Sequence, residues 1–226
     1  MKTSKPLNII LLGRSGSGKG TQLNLLKRKL PLIEIDSGYL LRQFIKQKNP
    51  LAKSIKEIIN KGFRAPTWLV VSLWLKKILN LQGRANNFGL IFEGSPRSLL
   101  EAQILEEALD LMGRKNIKVF YINVSKEEVY KRLSSRRICS KCGKEYSLFL
   151  RPELAKSLKC PFCGGKLVKR KDDNPQAIKN RMKFFDKEVM PVIRYFKKKK
   201  KLIEINGEGT VKEVFERIWQ QIIKSK

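Results

Sequence analysis

The sequence predicts a three-layer α/β fold built on a central parallel five-stranded sheet, and three observations carry that prediction. Short apolar runs bounded by turns recur at residues 7–12, 32–35, 89–92, 117–124 and 202–205. Amphipathic helical stretches lie between them, among them 98–112, 126–137, 175–197 and 210–224. Strands that alternate with helices form a parallel sheet covered on both faces. The third observation is the stretch GRSGSGKGT at residues 13–21, placed directly between the first apolar run and a helical segment over 22–30.

That stretch has the form G-x-x-x-x-G-K-x-T, a phosphate cradle in the strand-to-helix setting it requires. Small residues at Gly16, Ser17, Gly18 and Gly20 let successive backbone N–H groups turn inward around phosphate oxygens. Lys19 adds a point charge, and the following helix N-terminus adds its own partial positive charge. The fold is therefore read as that of P-loop NTPases, with a nucleoside polyphosphate as ligand. Position 20 is Gly where the usual pattern has a magnesium-binding Ser or Thr, and Thr21 follows one place late.

Two segments interrupt the alternation. Residues 36–67 carry two short helical patterns and no strand, and residues 138–171 carry cysteines and turns without a long apolar face. All four cysteines fall in the second segment as Cys139-x-x-Cys142 and Cys160-x-x-Cys163, each pair running into a glycine, Gly143 or Gly164. Such knuckles fit four Zn–S bonds around a tetrahedral ion. A disulfide pair is the alternative, and the absence of a secretory signal weighs against it. A segment this short cannot build its own core, so structural Zn²⁺ is expected to hold it together.

Composition bounds the chemistry. The 226 residues suffice for one sizeable core with appendages. There is no histidine, so imidazole catalysis and His-based metal sites are excluded. No apolar run approaches the roughly 18 residues that span a bilayer, and a soluble, cytoplasmic, monomeric protein without membrane contact is expected. The 49 Lys and Arg against 20 Asp and Glu give a formal charge of +29, more than one anionic ligand uses. Because the lysines are spread along the whole chain, this surplus is read as solvated faces with non-specific nucleic-acid contact; an RNA, ribosome or anionic-lipid partner is the alternative. The one dense run, 197–201, is placed at a helix end, where cations complement the macrodipole.

Taken in order, the motifs resemble those of bacterial adenylate kinases with the long, zinc-containing LID, over nearly the whole chain. GKGT is that family's form of the cradle. DSGYLLR at 36–42 resembles its S-T-G-D-x-L-R, and EGSPRS at 93–98 its D-G-F-P-R-T. RLSSRRIC at 132–139 resembles its R-x-x-x-R-R entry to the LID, RKDDN at 170–174 its R-x-D-D-N exit, and Asn206-Gly207 the turn before its last helix. The resemblance implies reversible, Mg²⁺-dependent transfer of the γ-phosphoryl of ATP to AMP, giving two ADP. It implies core segments 1–36, 68–137 and 172–226, a monophosphate-binding insert at 37–67 and a zinc LID at 138–171.

It also implies roles. Gly16 through Thr21, Arg132 and Arg136 hold ATP. Ser37, Arg42, Ala65, Gly94, Arg97 and Glu101 face the monophosphate, and Arg170 and Arg181 close over both substrates. Lys19, Arg97, Arg136, Arg170 and Arg181 form the catalytic ring. Glu93, at the end of the third strand, holds Mg²⁺ through water, and Asp172 and Asp173 anchor the LID hinge. Physics favours such a ring independently, since phosphoryl transfer needs charge neutralised and two oxygens aligned, and guanidinium forks grip phosphate without deprotonating.

Three departures bear on the acceptor. Tyr39 stands where the family has Asp, Ser95 where it has an aromatic, and GFRAPT at 62–67 differs from its G-K-L-V-P-D. Eight residues after the strand-end acid the family has a Gln that reads adenine; here that position is Glu101, which only accepts hydrogen bonds. AMP remains the expected acceptor, with another monophosphate such as GMP as the alternative. From a different class comes a basic P-loop ATPase associated with RNA or ribosomes, which would need no second phosphate clamp at Arg42 and Arg97.

Overall fold

The computed structural model describes residues 6–60, 63–81, 87–170 and 173–224. β1 (Asn8–Leu12) leads through the glycine-rich loop into α1 (Lys19–Lys29) and β2 (Leu32–Asp36). Three helices follow, α2 (Ser37–Phe44), α3 (Pro50–Asn60) and α4 (Thr67–Leu79), before β3 (Gly89–Glu93), α5 (Leu99–Leu111), β4 (Ile117–Asn123) and α6 (Lys126–Ser134). The cysteine segment holds β5 (Arg136–Cys139), β6 (Glu145–Ser147), the single turn α7 (Leu154–Ser157) and β7 (Leu167–Lys169). α8 (Pro175–Phe184), a π-helical turn (Phe185–Val189), α9 (Met190–Lys198), β8 (Leu202–Asn206) and α10 (Val211–Ile223) complete the chain. Among the described residues no helix is long and apolar enough to cross a membrane.

The main sheet has the strand order β2-β3-β1-β4-β8, and every pair in it is parallel. All five strands stand where the apolar runs predicted them. Side chains alternate between the faces: Ile10, Leu12, Phe92, Val119 and Tyr121 join one core with Trp74, Leu105 and Phe196, whereas Ile9, Leu11, Ile91, Phe120 and Ile122 join the other with Leu26, Ile178 and Ile218. Helices therefore cover both faces, as a parallel sheet demands. The chain reverses its direction across the sheet at β1, so the crevice at the carboxyl ends of β1 and β3 is the topological switch point where such sheets bind ligands.

Two helices differ from their periodicity. The stretch 126–137 stops at Ser134 because Arg136–Cys139 is taken up as the central strand of a second, antiparallel sheet of order β6-β5-β7. Ser135 makes the corner: its Oγ is 3.0 Å from Ser147 Oγ and accepts the Phe149 amide at 3.1 Å. Cross-strand pairing outweighs continued helix there. The stretch 175–197 is broken by the π turn, which carries Asp186 to within 2.7 Å of both Arg14 in the glycine-rich loop and Lys126.

The dense lysine run does end a helix, but it is not all solvated. Lys199 and Lys201 straddle Glu106 of α5 at 2.7 and 2.6 Å, with Tyr195 on the same carboxylate. Burial alone would raise the Glu106 pKa; these three hydrogen bonds hold it below the usual carboxylate range.

α4 sets the position of β3, because Trp74 is fully buried edge-on against Phe92, with ring centroids 6.5 Å apart. The indole N–H of Trp74 has no partner among the described residues. Trp74→Ala should therefore lose about 3–5 kcal/mol through the cavity it leaves. Trp74→Phe, which removes an unbonded donor and keeps an aromatic ring, should lose less than half of that; urea unfolding midpoints of the two variants check the difference.

Candidate active site

The loop after β1 is shaped by its glycines. Gly18 caps α1 with φ at +94°, a left-handed conformation that a side chain would strain, and so turns the backbone into the helix N-terminus. Lys19, at the first position of α1, donates to the carbonyls of Gly13 and Arg14, both at 2.9 Å. Burial lowers its pKa from 10.5 to about 8, opposed by the carboxylate of Glu93. Glu93, the last residue of β3, is moved the other way: burial raises its pKa and the Lys19 charge restrains the rise.

A single cavity of about 1030 Å³ runs from this loop across the ends of β1 and β3 to α2, α4, α5 and the second sheet. Of the residues singled out from the sequence, Gly16, Gly18, Lys19, Gly20, Thr21, Ser37, Arg42, Ala65, Glu93, Gly94, Arg97, Glu101, Arg132, Arg136, Arg170 and Arg181 all line it. Ser17 does not; its side chain is buried under the loop and its amide donates to the Arg14 carbonyl at 3.0 Å. Asp172 lies outside the described residues.

The arginines differ in how they are held. Arg136 grips Asp173 with Nε and Nη2, both at 2.6 Å, and reaches Glu145 at 3.0 Å. Arg181 meets the same Asp173 at 2.8 Å, and Arg170 meets Glu145 at 2.6 Å. Asp173 is 1% exposed, so one buried carboxylate fixes two guanidinium groups from different segments. Arg132 is buried as well, with donors on Glu128 at 2.9 Å and the Gly207 carbonyl at 3.2 Å. By contrast the Arg97 guanidinium is exposed to the cavity and has no ion pair among the described residues, lying so close to Gly94 that a Cβ there would come to 3.0 Å from Nη2. Arg42 is half exposed, 3.6 Å from Asp36.

Two residues gain a part that motif reading missed. Glu145 ties Arg136 and Arg170 together, and no spacing signal marks it. Arg64 enters the cavity from the loop before α4 and pairs with Glu101 at 3.2 Å; its departure from the family pattern was the visible signal. Glu101 is not a solvated helix residue: it is 0% exposed, and its carboxylate accepts from the Ser95 hydroxyl at 2.5 Å and the Arg97 amide at 2.7 Å.

In the second sheet the four cysteine sulfurs lie within 4.8 Å of one another. Cys139 and Cys163 are 3.5 Å apart and Cys142 and Cys160 3.7 Å, so no disulfide joins them. Sulfurs at the corners of a zinc tetrahedron with Zn–S near 2.3 Å are separated by about 3.8 Å, so the cluster fits that ion. Gly143 and Gly164 take positive φ at 71° and 69°, as the knuckle reading requires. Among the described residues the apolar core here is Leu154 and Leu167 beside the buried Cys139 and Cys160, with Tyr146, Leu148 and Leu158 partly buried against them, too little to fold on its own.

Comparison with known proteins agrees with this geometry. The family model for adenylate kinase matches residues 11–201. The chain is 38% identical over 208 residues to an adenylate kinase of Methanocella arvoryzae, covering 92% of this chain and 94% of the relative. It is 37% identical over 211 residues to one from Dehalococcoides mccartyi, covering 93% and 95%. It is 35% identical over 212 residues to one from Thermosipho africanus, covering 94% and 97%.

The buried Lys19 makes a pH prediction. Below about pH 8 it is charged both folded and unfolded, and the full cost of burying the charge is present. Between about pH 8 and 10.5 the unfolded chain holds the proton more tightly, so this group adds stability as pH rises. Measured by urea unfolding without nucleotide, the wild type should gain on Lys19→Met between pH 7.5 and 10; parallel pH profiles would show that Lys19 is not buried as a cation.

Proposed function

The chain belongs to the adenylate kinase family, a family of phosphotransferases, and we propose that the cavity binds Mg-ATP at the glycine-rich loop and AMP beside β3. The γ-phosphoryl group then passes between them reversibly. The observation that carries this reading is the presence of two separate phosphate grips in one cavity. Lys19 and the loop amides would form one, and Arg97, which has no ion pair among the described residues, would form the other with Arg42. An ATPase would need only the first.

On this reading, binding of the triphosphate draws Lys19 off the Gly13 and Arg14 carbonyls, and the anionic ligand favours its charged form. Arg136, Arg170 and Arg181, held by Asp173 and Glu145, are preorganised around the site where negative charge accumulates in transfer. Arg132 contributes from beneath, already fixed by Glu128. Glu93 would hold Mg²⁺ through water; when bound, that ion neutralises the triphosphate. The acceptor phosphate is already a nucleophile at neutral pH, so no residue has to act as a general base.

The insert at 37–67 and the LID at 138–171 are taken to close over the core segments 1–36, 68–137 and 172–226, excluding water and preventing ATP hydrolysis. Asp173 supports a hinge role, since it joins the LID entry at Arg136 to Arg181 of α8. The surplus of lysines is read as non-specific, and salt should abolish any nucleic-acid binding.

Arg97→Ala should cut kcat/KM by about 10²–10³-fold, with the KM for AMP rising more than that for ATP, and with the melting temperature unchanged. Steady-state kinetics in which the variant kept near-normal transfer would reject the acceptor grip.

We also propose that the four cysteines bind one structural Zn²⁺ per chain. Elemental analysis of protein purified without chelator should find it. Cys160→Ser should lower the melting temperature and increase proteolysis between residues 138 and 171 before the core is cut. Full-length stability with no thiophilic metal present would contradict this.

A further inference from the structure

We propose that Glu145 is an internal stand-in for the ATP phosphates: its carboxylate occupies Arg136 and Arg170 before nucleotide binds, gives way to the triphosphate, and so sets the affinity for the donor. This rests on the reading of the cavity as a kinase site with ATP at the glycine-rich loop.

Two carboxylates hold the arginines, and they are built differently. The Asp173 side chain is 0% exposed and takes the Nε and Nη2 edge of Arg136 at 2.6 Å together with Arg181 at 2.8 Å. An acid so placed stays with its arginines, because leaving them would strand a buried charge. Glu145 comes from β6, with its side chain 39% exposed on the cavity wall. Each of its oxygens takes one arginine: Oε2 accepts from Arg136 Nη1 at 3.0 Å, and Oε1 accepts from Arg170 Nη1 at 2.6 Å. Half-exposed pairs of this kind are held weakly and can be exchanged for another anion.

The carboxylate stands where the donor phosphates would lie. Burial lowers the Lys19 pKa and raises that of Glu93; the charge of Glu145 opposes the first shift and adds to the second. Glu145 is therefore within electrostatic reach of the glycine-rich loop and the end of β3 while it touches both arginines. To a guanidinium group, a carboxylate and a phosphate are equivalent anionic acceptors. A phosphate arriving at either Nη1 meets Glu145 first, and like charge opposes it. Arg136 keeps its Asp173 edge in the exchange, so only the Glu145 side is given up.

Glu145 thus has two opposite effects on donor binding. By charge and by occupying Nη1 of both arginines it weakens binding, and by keeping those arginines in place it strengthens binding. Asp173 already fixes Arg136 with two bonds, so the second effect is the smaller, and Glu145 weakens donor binding on balance.

The test is calorimetric binding of ATP, inorganic tripolyphosphate and AMP without Mg²⁺, beside steady-state transfer, for the wild type, Glu145→Gln and Glu145→Ala. The alanine variant also removes the hydrogen bonds that a Gln oxygen could keep, and both should melt near the wild type because the side chain is half exposed. Each should bind ATP and tripolyphosphate about fivefold to tenfold more tightly than the wild type, with AMP within about twofold. The KM for ATP should fall by the same factor, kcat should move less, and the gain should shrink as ionic strength rises. Glu153→Gln makes the same change in charge at an acid paired with Arg151 away from the cavity, and should bind as the wild type does.

Unchanged or weaker binding of ATP and tripolyphosphate in both Glu145 variants would make Glu145 a positioning residue alone and overturn the inference, while transfer to AMP would leave the kinase reading intact. An equal gain in Glu153→Gln would reduce the effect to net charge and overturn it too. Tighter ATP binding in the Glu145 variants with no transfer to AMP by the wild type would uphold the stand-in and remove the kinase reading.

Discussion

Because β1 is hydrogen-bonded to parallel neighbours on both sides, every strand of the main sheet must leave it at the same edge. That constraint places the glycine-rich loop after β1 and the Glu93-Gly94 turn after β3 side by side, although Gly13 and Glu93 are 80 positions apart in the chain. It also explains the connection between β2 and β3. A parallel pair cannot be joined by a tight turn, and here the crossover is enlarged into α2, α3 and α4, which wall the far side of the cavity. Burial of Phe92 against Trp74 then fixes how far β3 projects, and with it Glu93.

Within that frame the dominant problem is repulsion. Lys19, Arg97, Arg132, Arg136, Arg170 and Arg181 converge on one cavity, and without ligand they would force it apart. Three solutions coexist. Asp173 and Glu145 neutralise Arg136, Arg170 and Arg181 and hold their geometry. Lys19 donates to backbone carbonyls, while its burial lowers its pKa. Arg97 has no ion pair among the described residues and feels the nearby charge of Glu93. Fixed dipoles and charges of this kind need little reorganisation when a phosphate arrives, which is the condition under which electrostatic stabilisation is most effective. The Glu106 cluster with Lys199 and Lys201 treats the same excess of cations structurally, on the opposite side of α5.

The five strands, the glycine-rich loop and the cysteine knuckles were legible in the sequence, because each depends on local pattern: an apolar run with turns beside it, a string of small residues before a lysine, and paired cysteines before glycine. The arginines were legible as a set because their surrounding motifs keep family order. Glu145 was not, and Arg64 showed only as a departure from the family pattern, because nothing near either in sequence indicates which distant charge it will meet. The end of α6 at Ser134 was also hidden, since helical periodicity continues through Arg137 and only pairing with β6 and β7 draws that segment into a strand.

Glu101 marks the boundary most sharply. Its identity, and the fact that it can only accept hydrogen bonds, follow from the sequence alone; that its carboxylate is buried and consumed by Ser95, Arg97 and Arg64 was decided by tertiary structure. A side chain's chemistry is a property of the residue. Which of its bonds remain free for a ligand depends on three segments meeting at the end of β3, and that meeting is fixed only when the sheet and its crossover are packed.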